Sequence, residues 1–161
     1  MSWEAPLGSF VGRGLPGDVP FGIGVRVAAL TLCLLDPDAT ARARVELAGR
    51  TLDDAYHWTE DAVRSATRGA IDAPLVHPGF ELPAHPLGHG GRFERAPGLA
   101  ELARWYANAE GALRRVARET RGAGPLLCWP HHFDLATLIE ITHAAGGRAS
   151  STVGVGLSPG D

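Results

Sequence analysis

Lysine is absent, and all 15 basic residues of the chain are Arg. This excludes chemistry that needs an ε-amine, such as a Schiff base or the lysine of a phosphate-cradling P-loop. The net charge is -3, so no overall attraction to nucleic acid or to an anionic membrane is expected. Cysteine is confined to Cys33 and Cys128, each inside an apolar run (Leu32-Cys33-Leu34 and Leu127-Cys128-Trp129). A free thiol there behaves as a small hydrophobe, so both are expected to be buried and reduced. That usage fits a reducing compartment, and the expected location is cytoplasmic. A secretory leader pattern is also missing, since the N-terminal segment carries Glu4 and Asp18 against Arg13. The apolar run Val27 to Leu35 is far too short to span a bilayer.

What is present is an ordinary globular composition. A length of 161 residues with 45% apolar content fits one domain, here residues 1–161. At that size folding removes roughly 70% of the unfolded chain's surface from water, enough for a core without staples. The 21 Gly and 12 Pro imply extensive turn and loop. Residues 1–24 read as loop with at most a short strand at Ser2-Trp3-Glu4. Val25 to Leu35 reads as one apolar strand, Asp36-Pro37-Asp38 as a turn, and Ala41 to Ala48 as the returning strand of a β-hairpin.

Two helices follow from caps and period. Thr51 with Asp54 three residues on makes an approximate capping box, and Leu52, Ala55, Tyr56, Thr59, Ala62, Val63 and Ala66 trace a helical stripe that Gly69 stops. His57 and Trp58 lie beside that stripe as packing or partly exposed residues. From Leu99 to Thr120, Leu99, Leu102, Ala103, Tyr106, Ala109, Leu113, Val116 and Ala117 form one apolar face. Arg114, Arg115, Arg118 and Arg121 gather toward its C-terminus. There positive charge suits the helix dipole; a phosphate-binding patch is the alternative.

Between the helices, residues 70–97 form a Pro- and Gly-rich loop, either functional or draped over the core. It carries His77, His85 and His89. Pro86 and Gly88 deny His85 and His89 a shared helix face, although a loop can still deliver ligands. After Gly124 come three strands, near Pro125–Trp129, Ala136–His143 and Ser150–Leu157, the last two joined by a short loop. The sum is an α+β fold: a mainly antiparallel sheet of about five strands with the two helices packed on it.

The polar residues concentrate in Trp129-Pro130-His131-His132-Phe133-Asp134 and in Ser158-Pro159-Gly160-Asp161. A hairpin loop centred on Gly146 sets Asp134 near Ser158 and His132 near Gly160, so both clusters reach one end of the sheet. If extended backbone continues back from Asp134, His132 shares its face and His131 opposes it. His132, Asp134 and Ser158 are therefore the candidate catalytic residues. His132, Asp134 and Asp161 are the candidate ligands of a divalent metal such as zinc, whose open position could activate water. In the competing reading, His132 and Asp134 only brace turns by bonding backbone groups.

Gly156-Leu157-Ser158-Pro159-Gly160 also satisfies G-x-S-x-G, but it is no nucleophile elbow. Pro159 lacks the N–H that the oxyanion hole requires, and no acid and His follow in the order that fold uses.

Beyond these two clusters, Leu47-Ala48-Gly49-Arg50-Thr51-Leu52 and Leu102-Ala103-Arg104-Trp105-Tyr106-Ala107-Asn108-Ala109 complete a recognisable pattern. Together the four segments resemble an uncharacterised bacterial protein family, a domain of unknown function carrying W-P-x-H-F-D and G-x-S-P-G-D motifs. The resemblance implies relatives longer at both ends, with a further strand after the equivalent of Asp161. It implies no activity, cofactor or catalytic residue.

Two functional classes follow. One is a small-molecule enzyme or ligand-binding protein, with metal-assisted hydrolysis as the concrete form, using the sheet-end site. The other is a non-catalytic interaction domain that self-associates through its C-terminal edge.

Overall fold

Short antiparallel strands dominate the chain's first third. The computed structural model describes residues 1–12, 20–72, 74–76, 84–130, 132–142 and 150–159. Strands β1 (Ser2–Glu4), β2 (Ser9–Gly12), β3 (Gly22–Arg26), β4 (Thr31–Leu35) and β5 (Ala41–Glu46) form an antiparallel meander in sequence order. A second, three-stranded antiparallel sheet holds β6 (Leu127–Trp129), β7 (Asp134–Thr142) and β8 (Ser150–Leu157), with β7 central. Helices α1 (Leu52–Ala66) and α2 (Leu99–Glu119) complete an α+β fold. No described helix is long and apolar enough to cross a membrane.

The five-stranded sheet departs from the sequence expectation in two places. Residues 9–12 and 22–24, read as loop, are β2 and the start of β3. The run 25–35, read as one strand, bends at Val27–Leu30 and pairs with itself, Val25 opposite Leu32 and Arg26 opposite Thr31. That turn is closed by the Leu30 N–H on the Val27 carbonyl at 3.1 Å and leaves Leu30 at a φ of +47°. It contains no Gly, Pro or Asn, so no residue there announces it. The hairpin from β4 to β5 forms as expected.

One cross-strand row carries Trp3, Phe10, Val25, Leu32 and Val45. Both helices cover this face: Ala55 and Trp58 of α1 pack around Leu32, while Tyr106, Ala109 and Leu113 of α2 pack on Trp3, Phe10 and Val27. On the opposite face Val11, Cys33 and Leu35 cluster with Leu7 and Ala41. The capping box is formed. Thr51 Oγ1 accepts the Asp54 N–H at 3.1 Å, and the Asp54 carboxylate accepts the Thr51 N–H at 2.8 Å. That bonding also holds the Asp54 carboxyl below its ordinary range.

The described end of the long loop is draped over the corner between β5 and α1. Gly49 and Arg50 exchange backbone bonds with Phe93, each at 2.8 Å, and Arg95 pairs with Glu46. His85 caps the one-turn helix Pro86–His89, its Nδ1 accepting the Leu87 N–H at 3.2 Å. His77 lies outside the described residues.

The two sheets adjoin. The Cys128 N–H donates to the Met1 carbonyl at 2.8 Å, and the Met1 amino group donates back to the Cys128 carbonyl at 3.4 Å. Trp3, Phe10, Tyr106, Cys128 and Leu135 therefore belong to one core cluster spanning both sheets and α2. Cys33 and Cys128 are free and buried, as their apolar neighbours predict.

Phe10 is the packing centre, so Phe10→Ala should lower unfolding free energy by about 3–5 kcal/mol in urea titrations. Val116→Ala, exposed near the C-terminal end of the apolar stripe of α2, should change it by no more than about 0.5 kcal/mol. Equal effects of the two would contradict this placement of the core.

Candidate functional site

The three-stranded sheet is built around β7, whose odd-numbered residues face α2. Leu135 and Thr137 are fully buried there, and Thr137 Oγ1 donates to the Gly124 carbonyl at 2.9 Å. Residues 122–124 run beside β7 ahead of β6, with Gly124 N–H on Leu138 and Glu140 N–H on Gly122 at 2.8 and 3.0 Å. Gly122 sits at a φ of +81°, and a Cβ on it would stand 2.6 Å from the Glu140 carbonyl oxygen. Only glycine meets both demands.

The register between β7 and β8 runs from Thr142 opposite Ser150 to Leu135 opposite Leu157. Asp134 and Ser158 follow directly on that last pair, so the two polar motifs meet at one end of the sheet. Val153, Val155 and Leu157 share the α2 face, and Gly154 and Gly156 the other, as the alternation predicts. Gly156 is sterically required, because a Cβ there would lie 2.5 Å from that of Ala136.

The turn before Asp134 corrects one expectation. β6 pairs with β7 through Trp129 opposite Asp134, so the chain reverses between these residues. Phe133 has a φ of +56°, and extended backbone does not continue to His132. Strand alternation therefore does not assign His132 to the face of Asp134. His132 is exposed on this turn, Asp134 is half-buried at the strand start, and Ser158 is exposed. His131, His143, Gly160 and Asp161 lie outside the described residues.

A residue assigned only to the apolar stripe holds this turn in place. The Tyr106 hydroxyl donates to the Phe133 carbonyl at 2.9 Å. The Phe133 ring meets Phe10 at 5.4 Å, so an aromatic from the N-terminal segment supports the same turn. A tyrosine at a buried stripe position was the available signal, since its hydroxyl needs a partner. Which carbonyl it reaches is a tertiary fact.

Burial is the first cause of the altered acidities here. It pushes the Tyr106 phenol well above its ordinary range, with the nearby Cys128 and Asp134 adding to the shift. It pushes the Cys128 thiol up to about 11, aided by Asp134 and opposed by the N-terminal ammonium. No hydrogen bond or ion pair engages the Asp134 side chain among the described residues. Nor does any group of three His, Cys, Asp or Glu gather as a metal cluster among those residues. His85 caps its own one-turn helix, and neither His85 nor His89 has a hydrogen bond to this turn among the described residues.

Comparison with known proteins returns no matching family model, no matching curated protein and no matching solved structure.

The buried thiol makes a pH dependence testable. The folded-state value of about 11 stands above the ordinary 9.0, so the folded chain retains a proton that the unfolded chain has lost in that window. This contribution is whole below pH 9 and is lost as pH rises through about 11. Denaturant midpoints should fall over that interval, and less so in Cys128→Ala than in the parent. An identical slope in both would overturn the assignment.

Proposed function

We propose that the chain binds a small-molecule ligand at the end of the three-stranded sheet, with Asp134 as its principal anchoring group. The observation that carries this reading is a half-buried carboxylate with no hydrogen bond or ion pair among the described residues, one residue beyond the Leu135–Leu157 pair, as Ser158 is on the other strand. A carboxylate that braced the turn would spend its lone pairs on backbone N–H groups; Tyr106 supports the turn instead. His132 and Ser158 supply an imidazole and a hydroxyl on the flanks.

The donor set of an imidazole and a carboxylate suits zinc, with His132 and Asp134 as ligands and Asp161 as a third. A metal held there would supply Lewis acidity and an activated water, which makes metal-assisted hydrolysis the enzymatic form of the proposal. In that form Ser158 orients the substrate, and the Cys128 thiol below stays protonated and inert.

Zinc titration by calorimetry tests the anchor. Asp134→Asn should weaken binding by about tenfold or more, equivalent to 1.4 kcal/mol, while melting as the parent does. Parent-like zinc affinity in the variant would reject the metal form. A variant that instead loses about 1–3 kcal/mol of stability, with no effect on binding, would support turn bracing.

A separate observation supports a second reading, an interaction domain. β8 has one neighbour among the described residues and is exposed along most of its length. Val153 and Leu157 of β8 and Ile141 of β7 are exposed on one face, with Leu138 on the other. We infer that the occupant of this edge is a second copy of the chain. β8 carries no charge, so antiparallel pairing about a two-fold axis opposes no like charges, and the valines of the two copies can align. Light scattering should show a concentration-dependent dimer, and Val153→Arg should return the chain to monomer. A parent chain that stays monomeric at all accessible concentrations would exclude this reading.

A further inference from the structure

On the helix-free face of the five-stranded sheet, a cleft of about 570 Å³ opens between the one-turn helix Ala5–Leu7 and the turn joining β4 to β5. Its size suits a small metabolite. Arg26 lines one wall, and its Nε is buried with no hydrogen-bond partner among the described residues. Arg26 also takes part in none of the ion pairs among the described residues. A buried guanidinium N–H left without an acceptor is costly, because its lost hydration is not replaced. The other walls carry two carboxylates, Glu4 and Asp38, and the apolar side chain of Leu7.

This combination selects a ligand class. The guanidinium fork matches a carboxylate. Glu4 and Asp38 repel a multiply charged anion and favour a cationic group on the same ligand. Both carboxylates retain acceptor capacity: Ser2 Oγ bonds one oxygen of Glu4 at 3.0 Å, and the Thr40 N–H bonds one oxygen of Asp38 at 3.1 Å. Leu7, Ala39 and Ala41 offer an apolar surface to a hydrocarbon side chain. We propose that this cleft binds a free amino acid with an apolar side chain, its carboxylate on Arg26 and its ammonium toward Glu4 and Asp38. The site is separate from the sheet-end motifs, and neither Asp134 nor His132 lines it.

The Arg26 Nε–H resonance is a direct reporter, because a buried N–H exchanges slowly enough to be followed by NMR. Titration of the full chain with L-leucine should move that resonance saturably. 4-Methylpentanoate, which lacks the ammonium, and 3-methylbutylamine, which lacks the carboxylate, should each bind about tenfold or more weakly. Arg26→Gln should abolish L-leucine binding, read from backbone amides around Leu7 and Thr40, with circular dichroism confirming the fold. Glu4→Gln combined with Asp38→Asn should leave 4-methylpentanoate binding as well as L-leucine. Absence of a saturable shift of Nε–H with L-leucine would overturn the proposal even if the Arg26 variant fails to fold. Tighter binding of inorganic phosphate than of L-leucine would overturn the ligand class.

Discussion

Trp3, Phe10 and Tyr106 meet in one aromatic contact on which both sheets depend. Phe10 stands edge-on to Trp3 at 4.9 Å and to Tyr106 at 4.6 Å, and the Trp3 and Tyr106 rings lie 5.1 Å apart. Edge-to-face pairs of this kind add about 0.5–1.5 kcal/mol each to the area they bury. Their larger consequence is positional. Trp3 and Phe10 belong to adjacent strands of the first sheet and Tyr106 to α2, and the cluster they share with Ala109 and Leu113 of α2 takes in Cys128 and Leu135 of the second sheet. The cluster exacts a cost as well, since the buried Trp3 Nε1 has no hydrogen-bond partner.

The same contact shapes the candidate site. Phe133 occupies a left-handed backbone conformation that a non-glycine residue adopts at a cost of about 1–2 kcal/mol. It is held there from two sides, by the Tyr106 hydroxyl on its carbonyl and by Phe10 against its ring. Strain persists where surrounding structure over-determines it. The result is a chain reversal that delivers Asp134 to the start of β7 with its carboxylate in no hydrogen bond or ion pair among the described residues. The polar end of the second sheet thus inherits its geometry from strands near the N-terminus.

Charge is handled differently on the two helices. Glu110 is buried on α2, and Arg114 one turn later bonds its Oε1 through Nε and another guanidinium nitrogen, at 2.8 and 2.6 Å. A lone buried carboxylate would be expensive, and this pairing offsets the cost. Arg115, Arg118 and Arg121 remain exposed near the helix end, where they complement the dipole. The Arg run is therefore a solvated helix terminus, with one exposed member, Arg114, paired to a buried carboxylate.

Local chemistry was readable wherever neighbours in sequence are neighbours in space. Thr51 and Asp54 signalled the start of α1, the stripe through Tyr106 and Leu113 signalled the buried face of α2, and alternation in Ser150–Leu157 signalled which side chains face that helix. The short connection between β7 and β8 left antiparallel pairing as the simple solution, which is why Asp134 and Ser158 could be brought together in advance. The turn at Val27–Leu30 was invisible because it lacks turn residues, and β2 was hidden by the Gly and Pro around it. Division into two sheets, the grip of Tyr106 and Phe10 on Phe133, and the unpaired Arg26 Nε in its cleft all arise from contacts between distant segments. Sequence alone determined the two helices, the strands from β5 onward and the meeting of the two motifs, because period, caps and hairpin closure act over a few residues. Tertiary structure alone decided which polar groups are spent on the fold and which stay free, because that depends on what packs against them.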